Sequence, residues 1–322
     1  MKIAFLYEHP HWSDSLLDAF GEQSIDLTRI NVADLSFGTE TRDVPEFDLA
    51  INRINIMPSE SRNPQVVFQT LHYLNWLELS GVKVVNGARS HFIGASKAMQ
   101  NGIFSSLGLT CPRAIAIYRI EDAIPAAEKI GYPVIFKPNI GGSGAGVAKF
   151  DNAEELRAAV KIKALDFGVD RTGIIQEYIE SDGFVYRVEV LGGRLFYSIR
   201  QSIQQGVFNY CAADGCSADS SEPLDAESFD FCAIGGKTRI EVHQPGEDVI
   251  ENVINIVKAC NADVGGVEFF IDRKTGQPCY YDFNPYSNFV SNGESLLGFS
   301  PEKTYIEFIS DFINLARNAK KS

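Results

Sequence analysis

The chain has 322 residues, a formal net charge of −13, 45% hydrophobic and 22% charged residues. That length is too great for one compact core and implies two or three domains, and the acidic balance argues against nucleic acid or an anionic membrane as the main partner. The segment MKIAFLYEHPHW at the start has too short an apolar run for a signal peptide, and no run reaches membrane-spanning length, so a cytoplasmic protein is expected. Cys111, Cys211, Cys216, Cys232, Cys260 and Cys279 show no paired spacing and have no companion histidines, which favours reduced thiols over zinc or a disulfide framework.

In chain order, Lys2–Tyr7, Phe47–Asn52 and Lys83–Val85 read as strands, with helical apolar spacing at Ser13–Phe20 and Gln65–Leu79. This alternation predicts a small α/β unit with a parallel sheet. Arg53 follows the second of these strands, where ligand crevices form, and reads equally as a substrate carboxylate clamp or as a surface ion pair. Ser96 can cap a helix to Leu107, with Lys97 in its first turn and Gly108 as its stop. Residues 113–172 read strand-helix-strand-strand-helix, an α+β module, followed by a strand at Gly173–Ile179. Val185–Leu191 and Arg194–Arg200 form a hairpin around Gly192-Gly193. Ala212–Ser228 is acidic and turn-rich, and reads as a mobile loop. Helices follow at Glu247–Ala259 and Pro301–Ala319.

Two segments carry chemistry. Val264–Ile271 and Pro278–Asn284 are strands joined by the polar turn DRKTG, and alternation puts Asp282 and Asn284 on one face, with Glu268 on the facing strand. Such an oxygen cage suits Mg²⁺ holding nucleotide phosphates; an ordinary hairpin with polar residues turned to water fits the hairpin equally well. Upstream, VIFKP places Lys137 inside an apolar strand, where a lysine is rare without an anion to meet it. The NIGGSGAG loop that follows is neither a Walker A nor a dinucleotide motif, and runs into a second strand. Its glycines allow backbone N–H groups to approach phosphate closely, as a flap.

Taken in order, Lys97, VIFKP, NIGGSGAG, QEYI at 176–179, Arg187, and the paired GGVEFF and YYDFN strands resemble the ATP-grasp superfamily, closest to its RimK-type carboxylate–amine ligase branch. The resemblance spans roughly residues 80–290. It implies an architecture of three domains, mixed α/β and α+β, at 1–95, 96–175 and 176–322, with nucleotide held between the last two. It also implies ATP and Mg²⁺, the latter as two ions. Lys97 and Lys137 would contact phosphates, under a flap made by Gly141, Gly142, Ser143, Gly144 and Gly146. Gln176, Glu177, Tyr178 and Ile179 would line the adenine cleft. Glu268, Asp282 and Asn284 would hold the metal, with Arg187, Arg200 and Asn209 at the phosphoryl-transfer site. The family's metal set more often runs Asp, Glu, Asn. Where many relatives carry a ribose acid this chain has Val185, which leaves Glu180 or Asp182 for that contact. The implied reaction joins a small-molecule or peptide carboxylate to an amine through an acyl phosphate, with no nucleic acid or membrane partner and with homo-oligomerisation left open. A phosphotransferase without ligation, or a regulatory nucleotide-binding module, are the competing readings.

Overall fold

β1 (Ile3–Tyr7) is apolar on both faces because both are covered. Ile3 and Phe5 meet α1 (Asp14–Glu22), while Ala4 and Leu6 meet α2 (Val66–Leu79) on the other side. With β2 (Leu27–Asn31), β3 (Leu49–Asn52) and β4 (Lys83–Val85) it makes a parallel sheet in the order β2-β1-β3-β4. The edge strand β2, half-exposed along its length, has no clean apolar alternation and was not expected from sequence. The structure is a computed structural model and describes residues 2–9, 11–23, 25–40, 45–54, 63–142, 144–203, 240–286, 289–290 and 293–319.

After α3 (Ala88–Ala95) and α4 (Lys97–Ser106) comes an antiparallel sheet of β5 (Ala114–Ile117), β6 (Val134–Pro138), β7 (Ala148–Phe150) and β8 (Gly173–Glu177), in the order β5-β8-β6-β7. α5 (Ala123–Ile130) and α6 (Ala153–Lys161) bury Val134, Phe136 and Ile175 on one face of it. β8 carries on to Glu177, so the boundary expected at 175 falls inside a strand of this sheet.

The third sheet, order β11-β10-β9-β12-β13, is antiparallel: β9 (Phe184–Leu191), β10 (Arg194–Ser202), β11 (Ile240–Val242), β12 (Val264–Ile271) and β13 (Pro278–Asn284). One face, with Tyr186, Val188, Val267, Phe269 and Phe283, is covered by α7 (Glu247–Ala259) and by Phe104 of α4. Beyond α8 (Gly293–Leu297), α9 (Pro301–Ala319) departs from the expected grouping. Its Tyr305, Ile306, Ile309 and Ile313 pack against Ile3, Phe5, Leu16 and Ile51 of the first sheet layer. Among the described residues no helix is long and apolar enough to cross a membrane.

A buried polar junction joins the first and third sheets. Asn86, at φ 55°, takes a left-handed conformation that asparagine tolerates better than most residues. Its Oδ1 accepts from the Asp263 and Val264 amides at 2.9 and 3.2 Å, and its Nδ2 donates to the Val264 carbonyl at 2.9 Å. Nearby, His91 is fully buried; Nε2–H donates to the Val67 carbonyl at 2.9 Å, leaving Nδ1 to accept from the Tyr286 hydroxyl at 3.2 Å. Burial pushes the His91 pKa down from 6.5 to about 4, against the opposing pull of the Val67 carbonyl. The fold therefore holds the neutral ring. The unfolded chain takes up a proton between pH 6.5 and 4 that the folded chain refuses, so this contribution is complete above 6.5 and is lost as pH falls toward 4. In urea unfolding, the stability advantage of wild type over His91→Gln should shrink by roughly 2–3 kcal/mol between about pH 7 and about pH 4.5. A gap that does not change with pH would remove His91 from the acid response.

Candidate active site

The cleft begins at the N-terminus of α4. Ser96 caps the helix, its Oγ accepting from the Met99 amide at 3.3 Å and donating to Asn139 Oδ1 at 3.0 Å. The same Asn139 oxygen accepts from the Ala98 amide at 2.9 Å, and the Asn139 carbonyl accepts from the Lys97 amide at 3.0 Å. One turn on, buried Gln100 donates to the Phe283 carbonyl at 3.0 Å and accepts from the Phe283 amide at 3.2 Å. These bonds clamp α4 to the root of the glycine loop and to β13. Lys97 is thereby aimed at the neighbouring residue of β13, and its ammonium pairs with the Asp282 carboxylate.

The third sheet supplies a row of charge across three strands. Arg187 of β9 lies opposite Glu268 of β12, which lies opposite Asp282 of β13. Arg187 Nη1 is 3.5 Å from Glu268 Oε1, the Tyr281 hydroxyl donates to Glu268 Oε2 at 2.7 Å, and Arg187 Nε donates to Glu189 Oε1 at 2.7 Å. Burial pushes the Glu268 carboxyl up; Arg187 opposes the rise and Asp282 adds to it. For Arg187 burial works against the charged form, but the Glu189 and Glu268 carboxylates prevail and the net shift is upward. Its buried Nη2 meets no hydrogen-bond acceptor among the described residues. Asn284 sits opposite Gly266, and its Oδ1 accepts from the Tyr286 amide at 2.9 Å.

The middle sheet closes the cleft from the other side. Its uncovered face carries Ile135 and Lys137, with Gln176 paired to Ile135. The Lys137 ammonium is pushed down to about 8, first by burial and then by the charge of Lys97, while Asp282 pulls the other way. Two cations this close favour an anion between them. The loop after β6 turns on Gly144 and Gly146, at φ 71° and 70°, with the Ala145 amide donating to Gly142 at 3.0 Å. Gly141, Gly142 and Gly144 line the cleft together with Gln176, Glu177, Tyr178 and Ile179. Gly146 instead backs onto Pro138, where a Cβ would come within 3.2 Å of the ring. The Glu177 carboxylate is held by Arg113 at 3.0 Å, and the Tyr178 ring lies 4.5 Å from the Lys149 ammonium.

The other expected site residues lie apart from this group. Glu180 pairs with Arg273 at 2.6 Å, and Asp182 accepts from the Tyr186 hydroxyl at 2.7 Å; Ser181, between them, is the residue that lines the cleft. Arg200 is on the opposite face of the sheet from Arg187, paired with Glu241 at 2.8 Å and over the Phe184 ring at 4.7 Å. Arg53 is buried against the Phe289 and Tyr305 rings, at 5.4 and 5.9 Å. Ser143, Asn209 and the acidic segment 212–228 lie outside the described residues. Asn139, Gln100 and Glu189 were not singled out from sequence. Asn139 opens the NIGGSGAG motif, but nothing in the chain announces its partner Ser96.

Among the described residues no group of three or more His, Cys, Asp or Glu side chains could hold a metal. Two facing carboxylates and one amide nevertheless fit a Mg²⁺ that brings phosphate and water oxygens of its own. The two lysines that line the cleft, and the Arg187 Nη2 that meets no acceptor among the described residues, fit the phosphates themselves.

The family model for the D-ala D-ala ligase C-terminus matches residues 109–224. A D-alanine–D-alanine ligase of Stutzerimonas stutzeri is 25% identical over 186 residues, covering 53% of this chain and 58% of that protein, so the chain spans little more than half of that relative. The RimK domain protein of Sphaerobacter thermophilus superposes with a TM-score of 0.66 at 15% identity, over 96% of this chain and 99% of that one. The ATP-grasp ligase PsnB, solved with a phosphomimetic precursor variant, Mg and ADP, superposes with a TM-score of 0.63 at 14% identity, over 97% and 98%. The chain has the ATP-grasp fold. In this chain the glycine loop and the α4 N-terminus share one asparagine, which gives that residue a measurable role. Asn139→Ala should cost about 1–3 kcal/mol, since it leaves the Ala98 amide and the Ser96 hydroxyl short of an acceptor, and should speed hydrogen exchange at Ala98. Exchange at Ala98 equal to wild type would show the bond to be dispensable.

Proposed function

We propose that the chain is an ATP-dependent ligase that activates a carboxylate as an acyl phosphate and joins it to an amine, releasing ADP and phosphate. The observation that carries this reading is the convergence of Lys97, Lys137, Glu268 and Asp282 in one cleft beneath a glycine loop. The likeness to D-alanine–D-alanine ligases and to ATP-grasp ligases supports it. The acid and the amine are of the amino-acid or peptide class.

Lys97 and Lys137 bind the phosphates, and an arriving phosphate offers Lys97 an anion in place of Asp282. Glu268, Asp282 and Asn284 would hold Mg²⁺, which when bound would neutralise charge on the phosphate oxygens. Gln176, Glu177, Tyr178 and Ile179 enclose the base. The carboxylate oxygen of the acid attacks the γ-phosphorus and ADP departs. Transfer of this kind depends on positioning and on charge stabilisation at the equatorial oxygens, which Arg187 and the lysines supply. The amine then attacks the acyl carbon, phosphate leaves with the bonding electrons, and the amine loses a proton. The acyl phosphate has to be shielded from water, which is the task of the glycine loop.

An ADP-release screen of the purified protein over amino acids and peptides, with mass spectrometry of products, tests the reading. An amide product is expected; a phosphorylated acid or alcohol without amide would establish phosphotransfer instead. With the active pair in hand, Glu268→Gln and Asp282→Asn should each lower ADP release by about a hundredfold or more, equivalent to several kcal/mol of transition-state stabilisation. Near-normal turnover in the double variant would discard the metal assignment. Hydrogen exchange at Gly141, Gly142 and Gly144 should slow on addition of Mg²⁺ and an ATP analogue. Equal exchange with and without nucleotide would take the loop out of the mechanism.

A further inference from the structure

Among the described residues Glu189 is the one fully buried acid of the third sheet, with no measurable exposure. It follows Arg187 by two residues on β9, so both side chains leave the same face of the sheet, the one that also carries Glu268. A carboxylate in that position is costly unless a cation answers it, and Arg187 Nε–H does so at 2.7 Å. Room for it comes from the facing strand. Gly266 lies opposite Glu189, and a Cβ there would stand 2.5 Å from Oε1 and 2.9 Å from Oε2. The glycine is thus the complement of the acid.

The guanidinium has three nitrogens, and the structure gives each a different surrounding. Nε is bound to Glu189, Nη1 is 3.5 Å from Glu268, and Nη2 is buried with no acceptor among the described residues. An arginine held only by Glu268 could turn about its last side-chain torsions and offer any edge. Held also at Nε, it has one orientation, with Nη2 left for an incoming anion. We propose that Glu189, seated in the space that Gly266 leaves, is a positioning residue: it fixes Arg187 through Nε so that the Nη2 donors meet the oxygens of the transferring phosphoryl group. This rests on the ligase reading given above and adds to it the residue that orients the arginine. Glu189 also acts on more than Arg187, since its charge favours the cationic form of buried Arg53 against the desolvation that opposes it, and raises Tyr197 together with burial. Arg53 lies just past β3 of the first sheet, so one carboxylate faces cations from two sheets.

The test has two arms, both on the full chain. In ¹⁵N-arginine-labelled protein the Arg187 Nε–H signal, identified by its loss in Arg187→Lys, should lie downfield and exchange slowly with water. In Glu189→Gln, which keeps an acceptor but not the charge, it should move upfield and exchange faster. An unchanged signal in E189Q overturns the proposal, whether or not a substrate pair is known. In the second arm, ADP release is measured with the pair found by the screen. Glu189→Leu should lower kcat about a hundredfold and E189Q less than about tenfold, while KM for ATP stays within about threefold in both, because misorientation costs the transition state and not nucleotide binding. Gly266→Ala displaces the carboxylate without removing a charge and should reproduce the loss of kcat, which keeps the arm decisive if E189L does not fold. A kcat within about twofold of wild type in folded E189L or G266A overturns the positioning role. Wild-type protein that releases no ADP with any pair counts against the ligase reading alone, and the spectroscopic arm still decides the case for Glu189.

Discussion

Charge buried in the cleft has to be answered by charge of the opposite sign, and most of what surrounds the site follows from that requirement. Glu268, Glu189 and Asp282 sit on neighbouring strands of one sheet face, where like charges repel and desolvation is expensive. Arg187 answers two of them from within the same sheet, and Lys97 answers the third from a helix. Because Lys97 comes from outside the sheet, α4 has to be held in register with β13, and the Gln100 amide does this by bonding both backbone groups of Phe283. The ion pairs fix relative positions as well as balancing charge.

The junction between the first and third sheets is built in the same manner but from neutral groups. Asn86 bonds to backbone of β12 and its approach, Asn52 donates to the Asn86 carbonyl at 3.0 Å, and Tyr286 links them to His91. Buried amides of this kind specify a unique arrangement, since each misplaced bond would strand a donor or acceptor. The first sheet thus delivers Arg53 to the vicinity of Glu189 in a fixed pose.

Much of the site was legible from alternation alone. The β12–β13 hairpin has the boundaries and the facing acids that its apolar pattern implies, and Lys137 stands out as a cation in an apolar strand. Arg200 shows where such reasoning stops. Counting back from a two-glycine turn would pair it with Val185, on the same face as Arg187. A bulge between Leu195 and Tyr197 shifts the register by one, so Arg200 pairs with Tyr186 and its side chain leaves the other face. A bulge has no dependable signature in a single sequence. Asn139, Gln100 and Asn86 were hidden for a different reason. Each bonds residues 41 to 183 positions away, and an amide's partners cannot be read from its own neighbourhood.

The placement of α9 has a consequence for the order in which the molecule can be assembled. Tyr305, Ile306, Ile309 and Ile313 cover one face of a sheet whose first strand begins at Ile3. During synthesis that face, with Phe5 and Ile51, has no such cover until residues beyond 300 have left the ribosome. Of the three sheets, the one made first therefore waits for a helix made after the other two, and its apolar face stays open while they are synthesised.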